Sequence, residues 1–387
     1  MRQVSLTLLR LSLAVVPPLC VASTADAGAP ASITQEWTFI AWKSADGDLK
    51  GNQLILPLTV STRADPGPDS QINVAIRTAY IRSENMSSGQ GGVVSTLSDT
   101  AVSAQFLKQI GDVQGWLAVD ANLPTGKATL AGTQKNAIMD GNLVQQTRFG
   151  EGLNLAPALG LTIPIGESQI AVGASYTYRG GFVPDADLGL TYEPGDQMSF
   201  NAQFQHFGET WFAGVGAAYH IERTTLYDGL DFFKPGRRWE VFGEGVWQVS
   251  DIHLVTAAVR YSAITANAYF DAFTDRFVRE DANSNGENWF AALEYGYAGF
   301  DWGNLVVLSD LLVRTANSYD PLNDLYLPRR VKWSVGTGVD AELPLTADSR
   351  LSARLAYFQM EDEATPVTQN SIIYRGLQIM GSIQVTF

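Results

Sequence analysis

The feature that most constrains this chain is a hydrophobic period of two. It recurs along nearly the whole length, with few stretches that repeat at helical spacing. In "VKWSVGTGVDAEL" (331–343), Val331, Trp333, Val335, Thr337, Val339, Ala341 and Leu343 share one face, and Lys332, Ser334, Gly336, Gly338, Asp340 and Glu342 share the other. In "WEVFGEGVWQV" (239–249), Trp239, Val241, Trp247 and Val249 oppose Glu240, Phe242, Glu244 and Gln248. "RLSARLAYFQM" (350–360) and the final "GLQIMGSIQVTF" (376–387) read the same way. Successive strand residues point to opposite faces, so each stretch is a strand with one apolar and one polar side.

The polar faces decide which side is the inside. A soluble sandwich would turn long polar side chains to water. Here the polar faces hold many small residues, such as Gly214, Gly216 and Ala218, with isolated charges between them. That suits a crowded interior. The apolar faces carry aromatics near their two ends: Trp239 and Trp247, Trp211 and Tyr219, Trp289 and Tyr297. Aromatic belts at both lipid–water boundaries have this form.

The connections alternate too. Short ones (110–112, 164–168, 208–209, 250–251, 301–303, 344–349) interleave with long ones (84–96, 124–150, 180–195, 223–238, 265–287, 316–330, 361–370). The expected fold is an all-β transmembrane antiparallel β-barrel of about 16 strands, within a range of 14–18. Short periplasmic turns and long extracellular loops join the strands. The strands fall at 32–43, 53–63, 70–83, 97–109, 113–123, 153–164, 168–179, 196–207, 210–222, 238–249, 252–264, 288–300, 303–315, 331–343, 350–361 and 371–387. "LGLTY" (188–192) resembles a strand, but counting it as a crossing would make the number odd and exchange short loops for long ones, so it is placed in an extracellular loop or hairpin extension. The last strand should pair with 32–43 and leave no open edge. Its apolar set should face lipid, with Gln378, Ser382 and Gln384 facing the lumen. A terminal aromatic, Phe387, resembles the signal read by the outer-membrane assembly machinery.

Residues 1–27 read as a secretory signal peptide: Arg2 and Arg10, an apolar run from Leu11 to Val16, then "ADA" (25–27). Residues 28–387 form the barrel. Cys20, the one cysteine, lies within that signal, so the remainder has no cysteine-based zinc or redox site. No cofactor is expected. The net charge of -14 argues against nucleic-acid binding, which requires basic surface. No run of ~20 apolar residues follows the signal, so no transmembrane helix is expected. The expected surroundings are outer-membrane lipid and lipopolysaccharide. A homo-oligomer is compatible with the apolar exterior.

Four phrases, "LSDTAVSAQF" (97–106), "LAVDANLPTGKATL" (117–130), "GASYTYRGGF" (173–182) and "YEPGDQMSFNAQF" (192–204), resemble the outer-membrane transporters of the MetA-pathway phenol-degradation family and the FadL-like group related to it. Asp99, Leu123 to Gly126 and Pro194 to Asp196 follow that family's order of turn motifs. The resemblance covers about 97–207. It implies a passive channel for small, often hydrophobic or aromatic molecules, and it carries over no substrate-contacting residue.

With the polar faces turned inward, the lumen receives Arg77, Asp120, Glu240, Glu244, Arg260, Glu294, Asp310, Arg314, Asp340, Glu342 and Arg354. Facing lipid at mid-depth, each arginine would cost about 2–4 kcal/mol and each carboxylate less. These residues either line the solute pathway or brace the wall in pairs. Two loops are candidates to restrict the pore. Residues 124–150 combine Lys127, Lys135 and Arg148 with Ile138 and Met139. Residues 268–279 place Phe270, Phe273 and Phe277 at helical spacing with Tyr269 beside them, as a plug or as a helix on the rim. "DANSNGE" (281–287) matches the start of a calcium loop, but Ala292 stands where the bidentate glutamate should be. Of the three histidines, His206 and His253 sit beside short turns, and His220 lies near the outer end with Glu222 on the same face.

The sequence therefore points to passive uptake of small molecules, hydrophobic or aromatic ones first. The alternatives are a porin-like channel for hydrophilic solutes, a surface hydrolase centred on His220, and a structural or adhesive barrel with a closed lumen.

Overall fold

The computed structural model describes residues 31–87, 91–343 and 349–387, so the proposed signal peptide lies outside the described residues. Sixteen antiparallel strands close into one barrel: β1 Ala31–Ser44, β2 Lys50–Gly67, β3 Ser70–Asn85, β4 in two segments (Gly92–Leu97 and Thr100–Ile110), β5 Val113–Leu123, β6 Asn154–Ile165, β7 Ser168–Arg179 and β8 Gln197–Phe207. The second half comprises β9 Trp211–Glu222, β10 Arg238–Ser250, β11 His253–Ile264, β12 Asn288–Phe300, β13 Gly303–Arg314, β14 Arg330–Leu343, β15 Ser349–Asp362 and β16 Ile372–Thr386. Each strand pairs with its sequence neighbours. β16 returns to β1, with Phe39 opposite Ile379 and Trp37 opposite Gly381. Closure leaves no open sheet edge between the last strand and the first, as hydrocarbon requires.

Register fixes the two faces. Residues opposite one another on adjacent strands point the same way. On β16, Leu377, Ile379 and Ile383 are exposed together with Phe39, Leu355 and Val335 on other strands, which makes the outside a continuous apolar band. Gln378, Ser382 and Gln384 lie on the other face. Aromatic pairs mark both ends of the outside. Tyr219–Trp239 (ring centroids 4.1 Å apart), Tyr261–Trp289 (4.5 Å) and Trp333–Tyr357 (5.6 Å) lie toward the long loops, and Phe300–Trp302 (5.1 Å) toward the short turns. Trp239 and Trp247, one near each end of β10, are eight residues apart. At about 3.4 Å per residue and the usual barrel tilt, that separation spans an apolar band of roughly 20–25 Å.

The structure corrects the sequence expectation in three places. Strands β3 and β4 run well into the stretch read as loop 84–96, because Val93, Val94 and Ser95 extend the ladder opposite Glu84, Ser83 and Arg82. β4 is then broken at Ser98–Asp99. Leu97 pairs with Tyr80 and Ala101 with Arg77, so four residues on one strand span three on the other. This bulge exchanges the faces, and Val94 and Ser103 both point inward despite their opposite parity. The third correction concerns 268–279, which forms no helix. Ala268–Asp271 and Arg276–Arg279 are a β-hairpin, because Tyr269, Phe270, Phe277 and Val278 pair across it as strand residues. Phe270 packs edge-on to Phe277, and Phe273 at the tip is fully exposed. The hairpin belongs to a five-stranded sheet of the outer loops with Tyr192–Glu193, Thr225–Tyr227 and Leu230–Lys234. "LGLTY" contributes only its last residue to that sheet and does not cross the membrane.

Candidate functional site

The longest loop folds back into the mouth of the barrel, and it is built from its two ends inward. Asp99, in the bulge of β4, binds both ends. Its Oδ1 accepts the Gly126 amide at 2.8 Å, and its Oδ2 accepts the Glu151 amide and the Asn122 side-chain amide at 2.7 Å each. Thr125 hydroxyl meets Thr100 hydroxyl at 2.9 Å. A side chain at Gly126 would place Cβ 2.3 Å from the Phe149 carbonyl, so only glycine fits this closure. The "SDT" and "LPTG" phrases are therefore two halves of one bracket. Asp196 of "PGD" makes a similar bracket on β7, taking the Tyr176 hydroxyl at 2.5 Å and the Arg179 amide at 3.1 Å.

From this bracket the chain crosses the mouth. Leu130 exchanges backbone hydrogen bonds with Pro184 and Ala186 of the next loop (3.0 and 2.9 Å). Lys135 reaches Asp185 and Asp187 at 2.9 Å each. Hydrogen bonds to those two carboxylates raise the Lys135 ammonium above its usual range, and hydrogen bonds from Lys135 lower both aspartates. A 3₁₀ turn, Gly132–Ala137, lies against β4 at Gly92, and the Ser83 hydroxyl donates to the Ala137 carbonyl at 3.0 Å.

The segment then seats on the inner wall. Met139, Leu143 and Val144 bury against Ile40 and Trp42 of β1, Phe358 and Met360 of β15 and Tyr374 of β16. Each fully buried side chain of this size contributes roughly 1.5–3 kcal/mol. Leu130, Ala137 and Phe149 form a second cluster with Ile55, Ile81 and Val94. Polar bonds fix the register of the insert. Gln53, fully buried, accepts the amides of Gln145 and Gln146 (3.1 and 2.9 Å) and donates to the Gln146 carbonyl (2.7 Å). Arg330 bridges Asp140 and Asp362 at 2.5 Å each. Burial pushes the Asp140 carboxyl up, but the Asn142 amide and Arg330 outweigh it and hold the group below the usual carboxylate range. Lys332 donates to the Asn142 carbonyl at 2.6 Å while lying 4.6 Å from the centre of the Phe358 ring.

The charged residues expected in the lumen all lie on the inward face. Some are braced in pairs: Arg354 holds Asp340 with two 2.8 Å bonds, Arg77 reaches Glu36 at 3.1 Å, and Gln203 donates to Glu244 at 3.1 Å. Ser334 donates to Asp310, and Arg314 to the Pro328 carbonyl at 3.1 Å. Glu240 takes Arg238 at 2.9 Å. Asp120 lies opposite Ser103, Glu294 opposite Thr256, and Arg260 between Phe242 and Phe290.

His220 is 2% exposed, with Ser199 Oγ 2.8 Å and Gln197 Nε2 3.0 Å from its Nδ1. Its Nε2 stands 3.9 Å from Glu240, beyond hydrogen-bond reach, and the carboxylate is engaged by Arg238. A serine–histidine–carboxylate relay needs a short bond on that second side. His253 faces outward and meets the Tyr295 hydroxyl at 2.6 Å, and His206 meets the Ser168 hydroxyl at 2.8 Å. In 281–287 the side chains of Asn283 and Asn285 are used within the loop, on the Ile264 and Thr265 carbonyls and on each other. Among the described residues no group of His, Cys, Asp and Glu could hold a metal.

Sequence reasoning missed Gln53, Ser199, Arg238 and the apolar seat of Ile40, Trp42, Phe358, Met360 and Tyr374. The seat left a trace, because these side chains fall on the otherwise polar parity at the outer ends of the first and last strands.

A closed sixteen-strand barrel with an apolar outside, aromatic rims and a charged interior is a transmembrane barrel of the bacterial outer membrane. No protein-family model and no curated protein matches this chain. Among solved structures it is similar to an outer membrane channel from Pseudomonas putida F1 (9% identity over 96% of this chain and 100% of that one, TM-score 0.44). It is similar as well to a FadL homologue from Pseudomonas aeruginosa (9%, 92% and 90%, TM-score 0.40), and to OpdK of Pseudomonas aeruginosa, crystallised with vanillate (9%, 93% and 99%, TM-score 0.46).

Proposed function

We propose that this barrel is a passive channel for small molecules whose mouth is narrowed by its own residues 124–150, and that its preferred solutes are hydrophobic or aromatic. The observation that carries the reading is the seat of Met139, Leu143 and Val144 on Trp42, Phe358 and Tyr374. The seat pins the inserted segment to the inner wall and so narrows the opening that a solute must pass. The outer hairpin with Tyr269, Phe270, Phe273 and Phe277 would offer the first aromatic contact. Arg77, Asp120, Glu240, Glu244, Glu294, Asp310, Arg314 and Arg354 would form the polar wall deeper in the pathway.

A second reading, a porin for hydrophilic solutes, is favoured by that same charged wall. Planar-bilayer recording on the full chain separates the two. The selective channel gives very low ionic conductance, and cells lacking the protein lose uptake of aromatic compounds. A large ohmic conductance in the intact protein would overturn it in favour of the porin.

A further inference from the structure

Outside the barrel, register sets three cations side by side on three adjacent strands. Arg375 of β16 lies opposite Lys43 of β1, and Lys43 lies opposite Lys50 of β2. The row faces outward. Lys43 shares its face with Phe39 on β1, and Arg375 shares its face with Leu377 and Ile379 on β16, all three exposed on the apolar band. The cations are exposed as well. They stand where the strands meet the outer loops: Lys43 precedes the last residue of β1, Lys50 opens β2, and Arg375 lies near the start of β16. The same row continues through Gln359 to Trp333 of the outer aromatic belt.

Like charges directly opposite in a ladder repel, and here two such pairs share Lys43. No carboxylate of the chain relieves them. Among the described residues Lys43, Lys50 and Arg375 make no side-chain hydrogen bond or ion pair. The next outward cation, Arg82 of β3, has its own partner in Glu84 at 3.5 Å. In the turn between β1 and β2, Asp46 takes the Ser44 hydroxyl and the Asp48 amide. Glu361 of β15 lies opposite Ile373, beyond Arg375, and pairs with none of the three. We infer that the row Arg375–Lys43–Lys50 is a docking site for the phosphate groups of lipopolysaccharide in the outer leaflet. The row sits where the apolar band ends, the depth at which an outer-leaflet lipid carries its headgroup. The arginine offers a planar fork and the lysines compact charges, and both suit phosphate oxygens. The acyl chains then run down the face of Phe39, Leu377 and Ile379. Three adjacent strands set the cations over about 10 Å. Lipid A carries two phosphates on one disaccharide and can engage the whole row, whereas a phospholipid brings a single phosphate.

The test is native mass spectrometry of the full chain in detergent micelles. The probes are bis-phosphorylated lipid A, lipid A stripped of both phosphates, and phosphatidylglycerol. Wild-type protein should bind bis-phosphorylated lipid A at least about tenfold tighter than the stripped lipid. Lys43→Gln, Lys50→Gln and Arg375→Gln combined should erase that preference while the heat-shifted gel mobility and the bilayer conductance stay as in the wild type. Lys43→Gln alone, at the centre of the row, should weaken bis-phosphorylated lipid A about fivefold, and it carries the test if the triple variant fails to fold. No preference in the wild type, its survival in the triple variant, or undiminished affinity in Lys43→Gln overturns the inference. Phosphatidylglycerol binding as tightly as lipid A would make the row a general anionic surface and overturn it too. Release of lipid A by inorganic phosphate would do the same in favour of a small-anion site.

Discussion

The two sides of the barrel mouth solve the same problem differently. On β1–β4 and β14–β16 the inward face is covered by the chain itself. Apolar residues pack on Met139, Leu143 and Val144, and Gln53, Arg330 and Lys332 all find partners in the inserted segment. On β9–β12 no hydrogen bond or ion pair to the inserted segment is made among the described residues, and Arg238, His220 and Arg260 keep buried nitrogens without hydrogen-bond partners. The covered side keeps an unmet group as well, since Trp42 Nε1 in the seat is buried without a hydrogen-bond partner. The two sides therefore differ in what lies on them: the first holds a permanent guest, the chain's own segment.

Removing the permanent guest breaks this comparison most strongly. Excising 131–146 and joining the ends with a short glycine–serine linker should raise single-channel conductance about tenfold or more, because a barrel of sixteen strands otherwise encloses an aqueous lumen. An unchanged conductance would mean that the segment does not obstruct the pore.

The bracket comes next. Asp99→Ala leaves three N–H donors without their charged acceptor and should loosen the insert by about 3 kcal/mol. Tryptic cleavage at Lys127, Lys135 and Arg148 in the folded barrel should accelerate while the heat-shifted gel mobility of the barrel persists. Gln53→Leu keeps volume but strands the amides of Gln145 and Gln146, at a cost of about 2 kcal/mol. It should show the same protease phenotype more weakly.

The Lys135 clamp gives a smaller, pH-dependent effect. Asp185 and Asp187 titrate below the ordinary aspartate value of 3.8 and Lys135 above the ordinary lysine value of 10.5. The carboxylate contribution is fully present above 3.8 and is lost as pH falls through the lowered values. The lysine contribution is fully present below 10.5 and is lost as pH rises through the raised one. Brief openings in bilayer recordings should therefore stay constant between these limits and increase only beyond them. Flicker that rises on passing from pH 7 to 5 would assign the gating to another group. The smallest change is expected beside β9–β12, where Ser199→Ala should leave conductance and protease resistance unaltered, since Gln197 still reaches His220.

Much of this was legible in the sequence because a barrel strand is a local pattern. The faces of 331–343 and 376–387, the pairing of the last strand with the first, and the assignment of 188–192 to a loop required only period-two alternation and an even count. The charged residues of the inner wall followed from the cost of exposing them to lipid. The hairpin at 268–279 was misread because its spaced phenylalanines fit a helix as well as a strand, and only pairing decides between them. The bulge at Ser98–Asp99 was hidden for the same reason, since it is defined by a mismatch between two strands.

The sequence by itself determined the barrel, its membrane and which side chains of the unbroken strands face inward, because each follows from short-range alternation and from the solvent on either side of the wall. Only the tertiary structure decided what fills the mouth. Residue 53 meets 145–146, 99 meets 126 and 151, and 140 meets 330, contacts between stretches that no periodicity links. The same is true of β9–β12. Glu240 reads as one lumen charge among many until the fold shows Arg238 bound to it at 2.9 Å and the buried His220 beside it at 3.9 Å.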